Sequence, residues 1–561
     1  MNHSKKVAKA AKAAKAAKAT KVNKINKKTF KKLDRLSPFE LKDKLTKLTK
    51  SEKLNAGRGN TNFLNTFVRE VFAHLQLLAT DSTKEFGFDQ GLIPILSDAN
   101  YKKVLLDGCK KWKPEYAKFF KQYISYVEKR ALAANKDINK IMLDIIVSTL
   151  GCYYPKPPQI QPHIELVAED FLYDMVMSSV KKNEPGAKMT PSDFECFATE
   201  GAASAILYVF NTLKENFLLK PGDTVAVLTP VFSPYLEMPK LADYNLKIME
   251  LKGNQSMNWS LHNDEIDKIK NKKIKALFMV NPTNPGAYSL SRQNIERISK
   301  IVNNERKDLI VVSDSVYAPF TDEFNSFMMM CPENTIEIFS LSKYFGSTGW
   351  RLGLCMIAKK NRFNLLLKGL PKSEVKKLHE RYEIATMEPE KLSFMERLVL
   401  DSRQVAEAHV GGLSTPQQVL MGLFMFYDLN DRRNKAGKYR KNIKNVLKTR
   451  ITNLYNELET DPKIEATSTD YYSLLNIIDI TRNIYGEEAA EYIKNKYNYL
   501  DFLFHLASKY ETKLLPGKGF GTINWITRVS LANLRADSYK LIGQNIRKTI
   551  HDMVNDNVIK K

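Results

Sequence analysis

The chain has 561 residues, 43% of them hydrophobic and 10% aromatic, and a formal net charge of +25. Its length predicts two or more packed units, and its apolar content excludes global disorder. No apolar run reaches the roughly 18 residues that cross a membrane, so we predict no membrane span. The five cysteines include no Cys-x-x-Cys pair, which favours reduced thiols in the cytoplasm over disulfides or a metal site.

The first 33 residues hold about half of the net positive charge. They contain twelve lysines, and the first acidic residue is Asp34. The Lys-Ala-Ala repeat from Lys9 to Lys18 is of low complexity, and lysines three apart repel each other on a helix. We therefore expect residues 1–33 to be disordered. A tether to a polyanion or membrane surface is a second interpretation, and an organelle presequence is a weaker third one, because presequences favour Arg and Ser.

Residues 34–150 have the pattern of a helical N-terminal extension. In Phe63–Leu78 and Lys118–Ala134, apolar residues recur three and four positions apart, as on one face of a helix. We expect this extension to contribute to a small domain.

Residues 151–375 alternate between apolar β-branched runs and amphipathic segments such as Ala202–Glu215 and Arg292–Asn303. Strands separated by helix-length connections predict an α/β domain with a mostly parallel sheet covered on both faces. The predicted strands are Thr224–Thr229, Lys247–Leu251, Ala276–Val280, Leu309–Ser313, Glu337–Leu341 and Leu352–Ala358.

The remaining sequence first returns to helices and then mixes helices with strands. Residues 376–430 are helical and charged, which predicts an insertion. Residues 431–561 open with a long basic helix, Asp431–Glu459, followed by a strand-like run, Tyr471–Ile480. We expect residues 431–561 to complete the smaller α+β domain.

The most informative motif begins where a predicted strand ends, at Ser340-Leu-Ser-Lys-Tyr-Phe-Gly-Ser-Thr-Gly-Trp-Arg-Leu-Gly353. Ligands of open α/β sheets bind at the carboxyl ends of strands. Burial there would lower the pKa of Lys343 and make its amine a nucleophile toward an aldehyde. Ser340, Ser342 and the forked guanidinium of Arg351 are suited to hold a phosphate.

This stretch resembles the Ser-x-Ser-Lys-x-x-Gly-x-x-Gly-x-Arg-x-Gly signature of the type I aminotransferase superfamily. The resemblance implies pyridoxal 5'-phosphate bound to Lys343 as a Schiff base, with Ser340 and Arg351 on its phosphate. It also implies the type I fold, with a seven-stranded sheet in the large domain. Each active site would lie at the interface of a homodimer.

Further positions match the superfamily in its order along the chain. Asp314, in Val-Val-Ser-Asp-Ser-Val-Tyr317, would pair with the pyridinium nitrogen and keep the ring an electron sink. Tyr317 and Asn284 would hydrogen-bond the phenolic oxygen of the cofactor. The segment around Asn284 reads Asn-Pro-Gly where the superfamily usually has Asn-Pro-Thr-Gly.

The phosphate and the ring of the cofactor have further candidate contacts. The backbone N–H groups of Gly201, Ala202 and Ala203 open a predicted helix, whose N-terminus favours an anion. Phe232 is either the residue that stacks on the pyridine ring or an ordinary core residue. By resemblance, Tyr154 is the candidate for a phosphate contact across the subunit interface.

Three segments resemble the bacterial aspartate 4-decarboxylase group, which also transaminates aspartate. They are Leu36-Ser-Pro-Phe-Glu-Leu-Lys42, Leu54-Asn-Ala-Gly-Arg-Gly-Asn60, and the segment from Asp401-Ser-Arg-Gln to Gly412-Leu-Ser-Thr-Pro-Gln-Gln418. The resemblance runs from about residue 34 to the C-terminus. It implies conversion of L-aspartate to L-alanine and carbon dioxide, with 2-oxo acids as further substrates and dimers that form larger assemblies.

A dicarboxylate substrate needs a cation for each carboxylate, because a buried unpaired charge is costly. Arg528 matches the arginine that binds the α-carboxylate in the superfamily. Arg58 and Arg403 are the candidates for the side-chain carboxylate. Thr61 stands where the group usually has Pro, next to the loop that carries Arg58.

Two other functions stay open at this point. One is a plain aminotransferase for aspartate or another amino acid, without decarboxylation. The other is a polyanion-binding protein that acts through the basic N-terminal segment. Nucleic acid is the less favoured partner, because the charge is concentrated in that segment and every cofactor position is chemically intact.

Overall fold

The computed structural model describes residues 22, 24–51, 53–84, 91–92, 99–434 and 437–556. The strands are numbered β1 to β12 along these residues. They are Leu54–Asn55, Phe194–Thr199, Thr224–Thr229, Lys247–Lys252, Ile274–Val280, Ile310–Asp314, Thr335–Ser340, Gly353–Ala358, Tyr472–Asn476, Thr512–Lys513, Leu515–Pro516 and Ile526–Ser530.

The helices are named by their residues. In the N-terminal third they are Lys27–Leu33, Pro38–Thr46, Thr66–Thr83, Tyr101–Gly108, Pro114–Ala133, Ile138–Leu150 and Pro162–Val176. In the middle of the chain they are Ala202–Glu215, Pro234–Glu237, Asn263–Asp267, Arg292–Asn304, Arg362–Lys368, Lys372–Tyr382 and Phe394–Asp401. Toward the C-terminus they are Thr415–Asn434, Lys438–Glu457, Ile477–Tyr485, Glu487–Lys496, Tyr499–Tyr510 and Ala536–Asn555.

A seven-stranded sheet forms the core of the large domain. Its strand order is β2-β8-β7-β6-β5-β3-β4, and only β8 runs antiparallel to its neighbours. Every residue of β6, β7 and β8 is buried, as expected for strands covered on both faces. The prediction of a mostly parallel seven-stranded sheet is confirmed. Its edge strand β2, Phe194–Thr199, had not been predicted individually.

A smaller α+β unit, here called the small domain, is built mainly from the C-terminal residues. Strands β11, β12 and β9 form an antiparallel sheet, and the helices Lys438–Glu457 and Ala536–Asn555 pack together. Strand β1 from the N-terminal extension pairs in parallel with β10. The small domain is therefore built from both the N-terminal extension and the C-terminal residues.

The N-terminal extension is divided between two parts of the molecule. Pro38–Thr46 packs on Tyr499–Tyr510 in the small domain. The helix Thr66–Thr83 instead packs with Ile138–Leu150 and with Thr415–Asn434, which also contacts Pro162–Val176 beside the large sheet. The extension therefore contributes to the small domain through its first part, while its later helices pack beside the large sheet.

The structure differs from the prediction for one helix and one strand, and also for part of the segment expected to be disordered. The helix predicted at Asp431–Glu459 is two helices, with Gly437 in the left-handed region at φ 66° between them. The strand predicted at Tyr471–Ile480 stops at Asn476, whose side chain accepts hydrogen bonds from Ile478 N–H and Asp479 N–H and so starts a helix.

The Lys-Ala-Ala repeat lies outside the described residues. Lys27–Leu33 is helical with Asn26 as its N-cap, so the expected disorder is wrong for these residues. Within the described parts of the chain, no helix is long and apolar enough to cross a membrane.

Candidate active site

The predicted cofactor residues meet at one edge of the large sheet. Strands β5, β6 and β7 are parallel, so their carboxyl ends lie side by side. Asp314 ends β6, Ser340 ends β7, and Asn284 follows β5 by a short loop. Because β8 runs the opposite way, Arg351 reaches the same edge just before β8 begins. This arrangement is the topological reason why residues as far apart in the sequence as Asn284 and Arg351 line a single cavity.

The amine of Lys343 lies inside that cavity, where its Nζ donates a hydrogen bond to the carbonyl oxygen of Gly59 at 2.9 Å. Burial, together with the positive charges of Arg528 and Arg351, lowers the pKa of Lys343 to about 8. A Cβ at Gly59 would lie 2.7 Å from the hydroxyl of Tyr472 and 3.7 Å from Lys343 Nζ. Glycine at position 59 thus lets the N-terminal loop approach the lysine closely.

Asp314 is a buried carboxyl at the same edge. Burial raises its pKa to about 7, against the opposing effects of Val316 N–H, Tyr235 and the nearby Lys343. Its oxygens accept hydrogen bonds from Val316 N–H at 3.2 Å and from Tyr235 Oη at 3.3 Å. A positive partner in the cavity would favour the ionised carboxylate. The site is therefore suited to a protonated ring nitrogen.

A set of polar groups faces the cavity from beside Asp314. Asn284 Nδ2 donates to Tyr317 Oη at 3.3 Å, and the hydroxyls of Tyr317 and Tyr472 lie 3.0 Å apart. Asn284 Oδ1 is buried and has no hydrogen-bond partner among the described residues. A buried polar atom of this kind costs free energy unless a ligand or water satisfies it.

The opposite end of the cavity offers several donors to an anion. Ser340 Oγ is within 2.9 Å of Ser342 Oγ, and both serines line the cavity together with Arg351. The helix Ala202–Glu215 begins there without a side-chain cap, and Ala202 and Ala203 line the cavity. The first N–H groups of a helix have no partner within the helix, so they attract an anion.

Gly201 has a steric role beside Arg351 that had not been predicted. Its N–H already donates to the carbonyl of Thr199 at 2.8 Å, and Gly201 does not line the cavity. Its φ of 86° and its missing side chain matter instead, because a Cβ would lie 2.4 Å from Arg351 Nη2. Gly201 therefore makes room for the arginine, and the predicted contact of its N–H with the phosphate stays a prediction.

Arg528 is almost completely buried, at 1% exposure, and lines the cavity from β12. Its guanidinium lies 4.6 Å from the centre of the Tyr472 ring and 4.9 Å from that of Phe520. Its Nη2 donates to Gly57 O at 2.9 Å, while Nε has no hydrogen-bond partner among the described residues. The fork is thus held rigidly and keeps donor capacity for a carboxylate.

The two candidates for the distal carboxylate differ in position. Arg58 is exposed and, like Arg403, is not among the residues that line the cavity, but it lies between Gly57 and Gly59, whose carbonyl oxygens accept hydrogen bonds from Arg528 and Lys343. Arg403 lies outside the cavity lining, where it forms an ion pair with Glu200 and donates to Tyr208 Oη at 2.8 Å. In this chain Arg403 does not reach the site as predicted, because Glu200 already engages its charge.

The two aromatic candidates lie in different places. Phe232 lines the cavity, and its stacking on the ring of the cofactor stays a prediction. Tyr154 is 68% exposed and lies outside the cavity, so its contact across a subunit interface stays a prediction.

The cavity has a volume of about 300 Å³. Sequence reasoning missed several of its parts, namely Phe39, Asn60, Thr348 and Tyr472, and also Tyr235 behind Asp314. The aromatic residues lie in apolar runs that are typical of any core, so no local pattern distinguished them. The quoted segments Leu36–Lys42, Leu54–Asn60 and Ser340–Gly353 contain Phe39, Asn60 and Thr348, but these three residues had not been singled out.

Comparison with known proteins agrees with this geometry. The profile of the family "Aminotransferase class I and II" matches residues 181–532. A bifunctional aspartate aminotransferase and L-aspartate beta-decarboxylase of Pseudomonas sp. is 36% identical over 529 residues, covering 92% of this chain and 96% of that protein. An aspartate aminotransferase of Pyrococcus abyssi is 34% identical over 140 residues, covering 24% of this chain and 35% of that protein.

Solved structures share the fold at low sequence identity. An aromatic aminotransferase from Pyrococcus horikoshii aligns with a TM-score of 0.51 at 18% identity, covering 92% of this chain and 98% of its own. An Escherichia coli protein with a methionine aminotransferase function aligns with a TM-score of 0.53 at 12% identity, covering 91% and 96%. From its profile match, its full-length relative and its fold, this chain belongs to the class I and II aminotransferases, a family that depends on pyridoxal phosphate.

Proposed function

We propose that the chain converts L-aspartate to L-alanine and carbon dioxide, and that it transaminates aspartate in a side reaction. The observation that carries this proposal is the similarity along almost the whole chain to the Pseudomonas enzyme, whose name states both activities. The similarity includes the N-terminal extension, which lies outside the residues matched by the family profile.

The residues of the cavity fit pyridoxal phosphate chemically. Arg351, Ser340, Ser342 and the start of the helix Ala202–Glu215 would hold the phosphate. Asp314 would hold the ring nitrogen, and the side-chain amide N–H of Asn284 and the hydroxyl of Tyr317 would donate to the phenolic oxygen. The bound cofactor supplies an electron sink for the electron pair released when a bond to the substrate breaks.

Lys343 is suited to both covalent attachment and proton transfer. Its pKa of about 8 keeps a useful fraction of the amine neutral near pH 7, whereas an ordinary lysine is almost fully protonated there. A group whose pKa lies near the working pH can take up and return a proton efficiently. We assign to Lys343 Nζ the proton that leaves the α-carbon of aspartate.

The two carboxylates of aspartate would meet two different environments. Arg528 would bind the α-carboxylate from within the cavity through its rigid fork. We assign the distal carboxylate to Arg58, because the glycines on either side of it touch Lys343 and Arg528. An exposed arginine holds a carboxylate less tightly than a buried one, which suits a group that must leave as carbon dioxide.

We further propose a cytoplasmic homodimer that associates into a larger assembly. The family commonly forms homodimers, and Tyr154 and Trp350 are exposed aromatic residues near the sequence segments that build the site. Analytical ultracentrifugation of the full chain would test this; a monomer that is active at low concentration would contradict it.

The function is tested by supplying L-aspartate labelled at the β-carboxylate to the cofactor-loaded protein. We expect labelled carbon dioxide and L-alanine in equal amounts, with a minor yield of oxaloacetate when the reaction includes a 2-oxo acid. Formation of oxaloacetate without any carbon dioxide would identify a plain aminotransferase instead. The Lys343→Ala variant serves as the control and should form neither product.

A further inference from the structure

The N-terminal segment before the helix Thr66–Thr83 is fastened to the small domain at several points. Asp34 forms an ion pair with Lys518 at 2.6 Å and accepts a hydrogen bond from Tyr499 Oη at 2.6 Å. Ile25 N–H donates to Asp501 Oδ1 at 2.7 Å, and the rings of Phe30 and Tyr499 meet edge to face. The segment thus has a fixed place over the small domain.

The helix that follows these anchors brings an aromatic side chain into the active-site cavity. Ser37 caps the helix Pro38–Thr46 by accepting from Glu40 N–H, and Phe39 lies in its first turn. A Cβ at Gly519 would lie 2.3 Å from Pro38 Cγ, so this glycine lets the helix pack tightly against the loop that carries Phe520. Phe39 itself lines the cavity.

Phe39 connects the two domains through aromatic contacts. Its ring centre is 6.1 Å from that of Phe232, at the end of β3 in the large domain. It is 6.4 Å from that of Phe520 in the small domain, and Phe520 lies 4.9 Å from the guanidinium of Arg528. Phe39, Phe232 and Phe520 therefore form one apolar wall, here called the phenylalanine wall, beside the groups that would bind the substrate.

We propose that Phe39 controls how the enzyme divides aspartate between decarboxylation and transamination, by excluding water from the cavity. This inference rests on the proposed function, since it concerns the choice between its two reactions. The two reactions differ in their need for water, and the phenylalanine wall would control the access of water to the cavity.

In decarboxylation, the bond between the β-carbon and its carboxylate carbon breaks. Carbon dioxide leaves, the electron pair remains with the organic fragment, and a proton takes the place of the carboxylate at the β-carbon. Formation of alanine and carbon dioxide thus consumes one proton and no water. In transamination, release of oxaloacetate consumes one water molecule and leaves the amino group on the cofactor.

Water exclusion favours the first outcome. It withholds the reactant that oxaloacetate release requires. Hydrolysis of this kind is a side reaction that a closed active site prevents. Replacement of Phe39 by a polar side chain should therefore shift the products toward oxaloacetate, with a larger effect on the product ratio than on the binding of the cofactor.

The test compares Phe39→Leu, which keeps an apolar wall, with Phe39→Gln, which has similar length and is polar. We expect Phe39→Gln to raise the ratio of oxaloacetate to alanine about tenfold and Phe39→Leu to stay within about threefold of the unmodified chain. Phe30→Ala is the matched control, because Phe30 belongs to the same segment but lies outside the cavity. It should leave the ratio unchanged.

A binding measurement provides a readout that does not depend on turnover. Succinate has both carboxylates but no amino group, so it binds without reacting. Calorimetry should give a negative heat-capacity change for succinate binding to the unmodified holoenzyme, since apolar surface is buried. This change should be smaller in magnitude in Phe39→Gln and unaltered in Phe30→Ala.

The outcomes separate this inference from the proposed function. If the unmodified chain forms no carbon dioxide, the proposed function fails. If it does, but Phe39→Gln keeps the original product ratio, the role of Phe39 is refuted. An equal shift in Phe30→Ala and Phe39→Gln would also refute it, because the cause would then be loosening of the whole segment.

Discussion

Arg528 offers the sharpest prediction about substrate binding. Replacement by Leu removes a guanidinium that is 1% exposed, sandwiched between Tyr472 and Phe520, and already fixed by one hydrogen bond to Gly57 O. Because the guanidinium is fixed and buried, its ion pair with a carboxylate would be rigid and desolvated. Truncation of one partner of such a pair costs about 2–5 kcal/mol, which lowers kcat/KM for L-aspartate by about 30-fold to a few thousandfold.

Steady-state kinetics of Arg528→Leu and Arg528→Lys measure this loss. The Lys variant keeps the charge but not the fork, so it should recover only part of the activity. Arg450→Leu is the matched control, since Arg450 is also buried, donates to the carbonyl of Leu531 and lies over the ring of Tyr539, outside the cavity. It should lower stability while leaving kcat/KM of the folded enzyme within about threefold. A similarly small effect in Arg528→Leu would refute the assignment of the α-carboxylate to Arg528.

Three further predictions concern the other charged groups. In the cofactor-free protein the neutral form of Lys343 captures pyridoxal phosphate, so the capture rate should rise with pH and level off above about pH 8. In Arg528→Leu, which lacks a neighbouring positive charge, the rate should level off at higher pH. Stopped-flow absorbance that shows no such shift would contradict the stated cause of the lowered pKa. Asp314→Asn should retain the cofactor but lower kcat about a thousandfold, because opposite charges 4 Å apart attract by roughly 4 kcal/mol at an effective dielectric constant of 20. Tyr235→Phe, which removes one hydrogen bond to Asp314, should lower kcat about tenfold. Normal turnover in both variants would exclude a role for the carboxylate. Arg58→Leu should raise KM for aspartate. Arg403→Leu should mainly weaken cofactor binding, because Arg403 pairs with Glu200, whose backbone oxygen accepts a hydrogen bond from Arg351. The opposite pattern in KM and in cofactor titrations would exchange the two roles.

The large sheet could be predicted because its information is local. The strand Thr224–Thr229 and the helix Ala202–Glu215 have the predicted bounds, since a buried β-branched run and an amphipathic repeat each specify their own structure. The failures depend on single residues that redirect the backbone. Gly437, in the left-handed region, is the N-cap of the second helix, and Asn476 ends a strand and caps the helix that follows it.

The site could be predicted where a residue belongs to a compact motif. Lys343, Asp314, Asn284, Arg351 and Arg528 all line the cavity or lie at its edge as expected. Phe39 reaches the same cavity because its helix packs on Tyr499–Tyr510 and on β11, and Tyr472 reaches it because β9 lies beside β12. The engagement of Arg403 by Glu200 likewise depends on packing between Phe394–Asp401 and Ala202–Glu215, which no spacing in the sequence encodes.

The central claim concerns the residue that carries the cofactor, and one measurement tests it most directly. The loaded protein is reduced with borohydride, which makes the bond between lysine and pyridoxal phosphate permanent, and is then digested and analysed by mass spectrometry. We expect the pyridoxyl group on the peptide that contains Lys343 and on no other peptide in comparable yield. Labelling of a different lysine, or labelling that persists in Lys343→Ala at the original stoichiometry, would contradict the assignment.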